Sequence, residues 1–524
     1  MDENAAVSNE PNKAENVQMQ PLKVVEGAKS PAKKETEETR KMKENFSFFG
    51  LATAAYALFY AFCMYRNASG ITFPFFVAGS LWYFCYSLKK LGITLKKGSA
   101  YYLVSMMLLA VSTFCTGDER IITFNALGIF LLLISFLLNH FFNTLKWGLG
   151  KYLASMLELI FSSIGELARP FQDASEYFTK NQDLKKKKVF YVLLGLLITV
   201  PIFLLVAGLL SGADAIFRQV TERIMMTVNL DNIFGVIFSI VFWFFAVYLL
   251  MANLCNKTIR EEVKDHRKGE PVMAVTVTGM LSLLYLYFCW IQIAALFLGS
   301  MKLPEGYTYA KYAREGFFQL LAVAILNLII VLFCLAFFRE SKLLKGVLTV
   351  MSLCTFIMIA SSAMRMILYI ESYNLTFLRI LVLWALAVLS FMFVGVLLCI
   401  FREDFPLFRY GMIVVTCFYL LLSFSHPDLI IAKVNLENTA DVVLDYSYLS
   451  ELSTDAAPVL MPYLREKGYD LSVVEIPMNG NPKSRSAEKT FGYYYLDNVR
   501  GYVKDMNYRS FNLSRYIALK LAQE

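Results

Sequence analysis

The sequence predicts an all-α membrane protein, a polytopic bundle of about 11 transmembrane helices with a small helical tail at the C-terminus. Its 524 residues are 57% hydrophobic and only 18% charged, whereas a soluble chain carries roughly 25% charged residues. Apolar runs recur from Phe46 to Phe424, and each is about 20 residues long, the length that a helix needs to cross a bilayer. Composition and run length therefore indicate a multi-pass membrane protein.

The chain opens with a hydrophilic segment, residues 1–45, that is rich in Glu, Lys, Ala and Pro. Such a composition cannot bury enough apolar surface to fold by itself, so we expect a disordered tail. A secretory signal peptide would instead have a short basic start followed by an apolar core. We therefore expect no cleavable signal.

Residues 46–142 are predicted to form four transmembrane helices, at Phe46–Tyr65, Ile71–Leu88, Ser99–Cys115 and Ile121–Phe142. Residues 143–188 differ, because they are amphipathic and basic. Their apolar side chains recur at helical spacing: Leu149, Leu153, Met156, Ile160, Ile164 and Leu167. This pattern predicts a helix that lies in the membrane surface; packing against other segments on the same side of the membrane is the alternative.

Residues 189–424 are predicted to form seven more transmembrane helices, at Val189–Leu210, Ile233–Met251, Val272–Leu298, Phe317–Phe338, Leu344–Ile370, Phe377–Phe401 and Phe405–Phe424. Residues 425–524 are much less apolar. They are predicted to form helices that are interrupted around Ser453–Pro458 and by a linker rich in Gly, Pro, Asn and Ser over 476–486. We expect this segment to form a separate helical domain.

The positions of Lys and Arg orient the chain in the membrane. If the N-terminus is cytoplasmic, the loops on that side hold basic clusters such as Lys185–Lys188, and the opposite connectors hold few basic residues. This is the bias expected of cytoplasmic loops. An odd number of spans then places residues 425–524 outside the cytoplasm.

Composition and motifs predict no catalytic residue, no metal site and no cofactor. All nine cysteines lie in or beside apolar runs, and none forms a CxxC pair, which argues against a zinc site. The histidines, His140, His266 and His426, lack metal-ligand spacing, and we expect His426 at the surface. The net charge of +8 is concentrated in short loops, where it favours anionic lipid headgroups over nucleic acid.

Polar side chains concentrate where the seventh to tenth predicted spans approach the outer surface. Ser361, Arg365 and Tyr369 share one helix face, and Glu315 and Gln319 lie one turn apart. Because an ionisable group near hydrocarbon is usually turned inward and paired, we expect a charge-paired cluster with amides below it. Its members are Arg314, Glu315, Gln319, Arg365, Tyr369, Glu371, Arg379, Gln292 and Asn327. Such a cluster either joins the last helices or encloses a polar cavity for a substrate, an ion or a lipid headgroup.

Several separated motifs occur in order: Leu209–Phe217, Tyr312–Leu320, Ser362–Tyr369, Tyr373–Arg379 and Leu444–Leu460. They resemble a family of bacterial multi-pass membrane proteins, the domain-of-unknown-function family 4173, which is related to family 4153. The resemblance covers roughly Val189 to the C-terminus. It implies a bacterial cytoplasmic-membrane protein and no established activity. Asn374 stands where the family has glycine, a mild change because both residues tolerate a left-handed backbone.

These observations predict a non-enzymatic integral membrane protein that acts as an envelope regulator, a scaffold or a sensor partner. Its expected partners are a bilayer with anionic headgroups and a membrane or envelope protein. The alternative is a transporter or flippase with a polar site at the outer face, near Arg314, Glu315 and Arg365. That alternative calls for interrupted helices or a cavity near the middle of the membrane.

Overall fold

The computed structural model describes residues 35–144, 147–180, 184–220, 230–259, 261, 267–294, 309–402, 404–437, 444–469, 487–504 and 506–523. Their helices are α1 (Glu37–Glu44), α2 (Phe46–Met64), α3 (Thr72–Leu91), α4 (Ser99–Cys115), α5 (Glu119–Phe141), α6 (Leu149–Ser163), α7 (Arg169–Lys180), α8 (Leu184–Ala213), α9 (Leu230–Asn256), α10 (Pro271–Gln292), α11 (Tyr309–Phe337), α12 (Lys342–Tyr373), α13 (Phe377–Phe401), α14 (Leu407–Phe424), α15 (Pro427–Glu437), α16 (Tyr446–Ser450), α17 (Ala457–Glu466), α18 (Ala487–Lys504) and α19 (Leu513–Gln523).

Each predicted span coincides with one helix, from α2 to α5 and from α8 to α14. Within the described residues, eight helices are long and apolar enough to cross a membrane: α2, α5, α9, α10, α11, α12, α13 and α14. Helix α4 is also apolar but is shorter. The prediction of an all-α, multi-pass membrane bundle is therefore confirmed.

The membrane helices share three hydrophobic cores, and α14 contacts two of them. Helices α2–α5 and α9 share one core, which includes Phe49, Phe84 and Tyr248. Helix α12 packs against α10, α11 and α13, and these four helices share the other two cores. Phe408 of α14 packs against the first core, whereas its neighbour Leu407 packs against the second.

Most of the predicted tail, residues 1–34, lies outside the described residues, but its last part forms α1. The side chain of Thr36 caps this helix, and its hydroxyl donates a hydrogen bond to the carbonyl of Cys255 at 2.5 Å. Lys43 forms an ion pair with Glu176 of α7 at 2.8 Å. These partners lie far away in the sequence, so tertiary contacts order a segment whose composition predicts disorder. We call this end of the bundle the N-terminal face.

Helix α6 shows the predicted amphipathic pattern. Tyr152 and Leu159 are buried, whereas the apolar side chains on an adjoining face are exposed. That exposed face comprises Leu149, Leu153, Leu157, Ile160 and Phe161, and Ile164 and Leu167 continue it just beyond the end of α6. Of the apolar positions predicted from the sequence, only Met156 is buried, so most of the stripe remains available to lipid, as in a helix that lies in the membrane surface.

Helices α15–α19 cover the opposite end of the bundle, which we call the C-terminal face. They share a core of their own, with Leu460, Phe491 and Tyr495 fully buried. That core also includes Ile121 of α5 and Phe377 of α13. The C-terminal helices are therefore packed onto the ends of the membrane helices.

Candidate functional site

Arg365, at the centre of the cluster predicted from the sequence, is buried between three helices. Its side chain lies on α12 and is 7% exposed. Its Nη2 atom donates a hydrogen bond to Oε1 of Gln292, at the end of α10, at 3.2 Å. The hydroxyl of Ser361 donates to the same oxygen at 2.7 Å. The structure therefore brings Arg365 and Gln292 together.

Helix α11 approaches the guanidinium of Arg365 at a glycine. A Cβ atom on Gly316 would lie 2.0 Å from Nη1 of Arg365, which is far inside contact distance. One turn from Arg365, the hydroxyl of Ser362 donates to the carbonyl of Phe317 at 3.2 Å. The glycine thus lets the backbone of α11 lie directly against the charged group.

Tyr369 of α12 and Arg379 of α13 form a separate contact with each other. The guanidinium carbon of Arg379 lies 4.2 Å from the centre of the Tyr369 ring, which is a cation–π geometry. Nη1 of Arg379 also donates to the carbonyl of Tyr373 at 3.0 Å. Glu371 is exposed, and within the described residues it forms no ion pair with Arg365 or Arg379.

Asn327 lies deeper in the bundle and is fully buried. Its side-chain oxygen accepts a hydrogen bond from the hydroxyl of Tyr285 at 2.8 Å, and its Nδ2 atom donates to Thr355 at 2.9 Å. Helices α10, α11 and α12 therefore meet at this amide. Gln319, which we expected beside it, is exposed. The side chains of Arg314 and Glu315 lie outside the described residues, so their pairing stays a prediction.

A second polar cluster, at the C-terminal face, has Asp455 at its centre. Oδ2 of this fully buried carboxylate accepts hydrogen bonds from Thr116 Oγ1 at 2.5 Å and from Nδ1 of His426 at 3.0 Å. Oδ1 accepts from the backbone N–H of Gly117 at 2.7 Å and from the hydroxyl of Ser514. One carboxylate thus binds the α4–α5 turn, the α14–α15 turn and α19.

These contacts shift the titration of both partners. Hydrogen bonding to Asp455 raises the pKa of His426 above its usual value, although burial acts in the opposite direction. Burial acts to raise the pKa of Asp455, but the hydrogen bonds from His426, Ser514, Thr116 and Gly117 outweigh it and lower the pKa. The site therefore favours an imidazolium beside a carboxylate.

Arg120 connects two further carboxylates of this cluster. Its Nη2 atom donates to Asp428 at 2.5 Å and to Asp118 at 2.8 Å, and its guanidinium lies 4.0 Å from the centre of the Phe377 ring. Asp428 also accepts from the backbone N–H of Ser453 at 2.9 Å. Burial and the charge of Asp118 raise the pKa of Asp428, while Arg120 opposes that rise.

Sequence reasoning missed this second cluster because its members are far apart in the chain. His426, expected at the surface, has a side chain that is only 32% exposed and that contacts Asp455. Asp118 lies in the short polar turn between α4 and α5, and Asp455 lies near a helix start, where capping alone is enough to explain an aspartate. One feature of the sequence could have indicated this cluster: the short polar turns at the ends of several spans must meet at the same membrane face.

A family model described as a domain of unknown function, DUF4153, matches residues 103–463. The chain belongs to this family. The match confirms the predicted relation to family 4153, and it does not confirm membership of family 4173. No curated protein and no solved structure matches the chain.

The DUF4153 match begins within α4 and ends within α17, so it includes both polar clusters apart from Ser514. In this DUF4153 protein the hydroxyl of Ser514 and the imidazole of His426 bind different oxygens of Asp455. The arrangement joins the α4–α5 turn, the α14–α15 turn and α19 around one carboxylate.

Proposed function

We propose that this protein is a non-enzymatic regulator, scaffold or sensor partner in the envelope of a bacterium. In this proposal it lies in the cytoplasmic membrane, with the N-terminal face inside and α15–α19 outside. The observation that carries the proposal is the buried carboxylate of Asp455, which binds the C-terminal helices to the turn between membrane helices α4 and α5 and to the α14–α15 turn that follows the last membrane helix. A partner that binds the C-terminal helices would act on the membrane helices through these bonds.

The orientation is supported by the charges at the N-terminal face. The turn between α3 and α4 holds Lys96 and Lys97 after a helix that ends in Lys89 and Lys90. Basic residues of this kind mark cytoplasmic loops and attract anionic headgroups. At the C-terminal face, the α4–α5 turn and the first turn of α5 hold a single basic residue, Arg120.

A transporter or flippase with its site near Arg314, Glu315 and Arg365 is the alternative. The buried charge of Arg365 favours it, because ionisable groups within membrane helices often mark transport pathways. Against it, Arg365 binds Gln292 and packs against the backbone at Gly316, so it already joins α10, α11 and α12. An Arg365→Ala variant separates the two roles: loss of transport at an unchanged protein level supports a transporter, and loss of the protein itself supports a structural pair.

In-cell photo-crosslinking tests the proposed function. A photoreactive amino acid replaces the exposed Asp497 of α18, and the matched control places it at the exposed Glu158 of α6 on the N-terminal face. We expect one reproducible envelope protein to be captured from position 497 and not from position 158. We also expect Asp455→Asn to reduce this adduct, because it loosens the C-terminal helices. The same adducts at both positions, or none at exposed positions of α15–α19, would contradict the proposal.

A further inference from the structure

An apolar cavity of about 430 Å³ lies between α5, α6, α13 and α14. We call it the apolar cleft. Its lining includes Leu131, Leu153, Trp384, Phe408 and Met412, and almost all of its surface is carbon. The volume falls within the range of roughly 300–1,000 Å³ that is usual for ligand sites.

The cleft opens onto the lipid-facing surface. Leu127 and Leu131 of α5 line it and are 52% and 43% exposed. Helices α5, α13 and α14 are each long and apolar enough to span the membrane, so the opening lies at the depth of the acyl chains. Water does not fill an apolar cavity, whereas a hydrocarbon chain does so without losing hydrogen bonds.

One end of the cleft reaches the membrane surface at α6. Leu149 and Leu153 line the cleft and also belong to the exposed apolar face of this helix. A helix with such a face lies at the boundary between headgroups and acyl chains. The cleft therefore runs from the headgroup level into the hydrocarbon, which is the path of a phospholipid acyl chain.

Two cations lie at that end of the bundle, at the N-terminal face. Nη2 of Arg409, next to the lining residue Phe408, donates to the side-chain oxygen of Asn139 at 3.1 Å. Nζ of Lys96 donates to the backbone carbonyl of the same residue and to that of Phe142 at 3.0 Å. Both cations thus converge on one amide residue, and an anion beside them would relieve their repulsion.

The titration of Lys96 is consistent with this geometry. Burial and the charge of Arg409 lower the pKa of Lys96, and Glu261 acts in the opposite direction. A phosphate oxygen is a good acceptor for both an ammonium and a guanidinium group.

We propose that the apolar cleft binds an acyl chain of an anionic membrane phospholipid, whose phosphate lies beside Lys96 and Arg409. The carbon lining and the depth of the cleft indicate that the bound group is an acyl chain. The headgroup charge follows from the two converging cations.

Native mass spectrometry of the full chain in mild detergent tests this proposal, with phosphatidylglycerol and phosphatidylcholine of identical acyl chains as probes. Leu131→Trp fills the cleft, and its matched control, Leu421→Trp, changes a side chain of α14 that is 69% exposed and lies outside the lining. We expect wild type to retain phosphatidylglycerol preferentially. Leu131→Trp should lower that retention roughly tenfold, equivalent to about 1.4 kcal/mol, whereas Leu421→Trp should match wild type.

Two further variants test the acyl-chain site and the phosphate site separately. Leu127→Trp fills the cleft from a position one helical turn before Leu131. It serves as the cleft-filling variant if Leu131→Trp does not fold. Arg409→Gln keeps the cleft and removes one cation, so we expect it to abolish the preference for phosphatidylglycerol. Equal retention by the cleft-filling and control variants would overturn the acyl-chain site, and an unchanged preference in Arg409→Gln would overturn the assignment of the phosphate.

Discussion

The Nδ1 atom of His426 lies 3.0 Å from Oδ2 of Asp455, a residue 29 positions later in the chain. The carboxylate of Asp455 is fully buried. His426 reaches it from a backbone with a φ of +49°, a left-handed conformation that is uncommon for residues other than glycine. The α14–α15 turn thus adopts an unfavourable backbone conformation at His426, and in this conformation the imidazole forms a hydrogen bond with the carboxylate of Asp455. This contact is one of several that fix the C-terminal helices to the bundle, together with the hydrogen bonds of Asp455 to Thr116 and Gly117.

The contact should make the stability of the C-terminal helices depend on pH. The pKa of folded His426 is raised, so its stabilising contribution is complete below the unfolded pKa of about 6.5 and is lost as pH rises through the folded value. The lowered pKa of Asp455 gives a contribution that is lost only as pH falls through its folded value. We expect limited proteolysis of α15–α19 to accelerate between neutral and alkaline pH.

His426→Gln provides the control for this pH dependence. Glutamine retains a hydrogen-bond donor for Asp455 and cannot titrate, so its proteolysis rate should change little over the neutral to alkaline range. A wild-type rate that is as flat as that of the variant would show that His426 does not contribute.

Asp455→Asn should destabilise the protein by about 2–4 kcal/mol, because hydrogen bonds to a buried charge are worth about 1.5–3 kcal/mol each and do not add independently. The amide also presents a donor to groups that donate to the native carboxylate. Thermal unfolding in detergent measures the change. Asp497→Asn, at an exposed position of α18, should leave the midpoint unchanged, and equal shifts in both variants would contradict the account.

Gly316→Ala should displace Arg365 and lower stability by about 1–3 kcal/mol, the usual cost of overpacking. Its Cβ atom would lie 2.0 Å from Nη1 of Arg365. Gly279→Ala in α10 is the matched control, since within the described residues no atom beyond the adjoining backbone of its own helix lies within 4 Å of its Cβ position. Alanine there should be neutral or stabilising by up to ~1 kcal/mol, because it favours helices more than glycine does.

Tyr285→Phe removes the hydrogen bond from the tyrosine hydroxyl to Asn327 across α10 and α11. Bonds of this kind within membrane proteins average about 0.6 kcal/mol, so we expect a small loss of stability in chemical unfolding. Thr276→Val removes a hydroxyl whose one partner among the described residues is the carbonyl of Val272 in its own helix, and it should cost less. A cost for Tyr285→Phe no greater than that of Thr276→Val would argue against an interhelical role for Asn327.

The helical fold could be predicted because the length and apolarity of each run determine a span. The predicted bounds Ser99–Cys115 and Phe377–Phe401 are those of α4 and α13. The glycine-like turn before α13 was also visible, since Asn374 has a φ of +75°. Helix α1 could not be predicted, because its contacts with Cys255 and Glu176 depend on the tertiary fold.

The candidate site was predictable only in part, for the same reason. Polarity within an apolar run marks Arg365, Gln292 and Asn327 as inward-facing, and all three are buried. The local sequence pattern does not determine how a helix is rotated about its axis relative to its neighbours. Gln319 was therefore expected to face the interior of the bundle, but it lies on the exposed side. The cluster around Asp455 depends on four segments that only the complete fold brings together.

The location of α15–α19 outside the cytoplasm is the claim on which the proposed function depends most. Labelling of spheroplasts with a membrane-impermeant maleimide tests it, in a Cys417→Ser background that removes an exposed native thiol. We predict that Asp497→Cys is labelled without permeabilisation and that Glu158→Cys is labelled only after it. The reverse pattern would place the C-terminal helices in the cytoplasm and contradict the account.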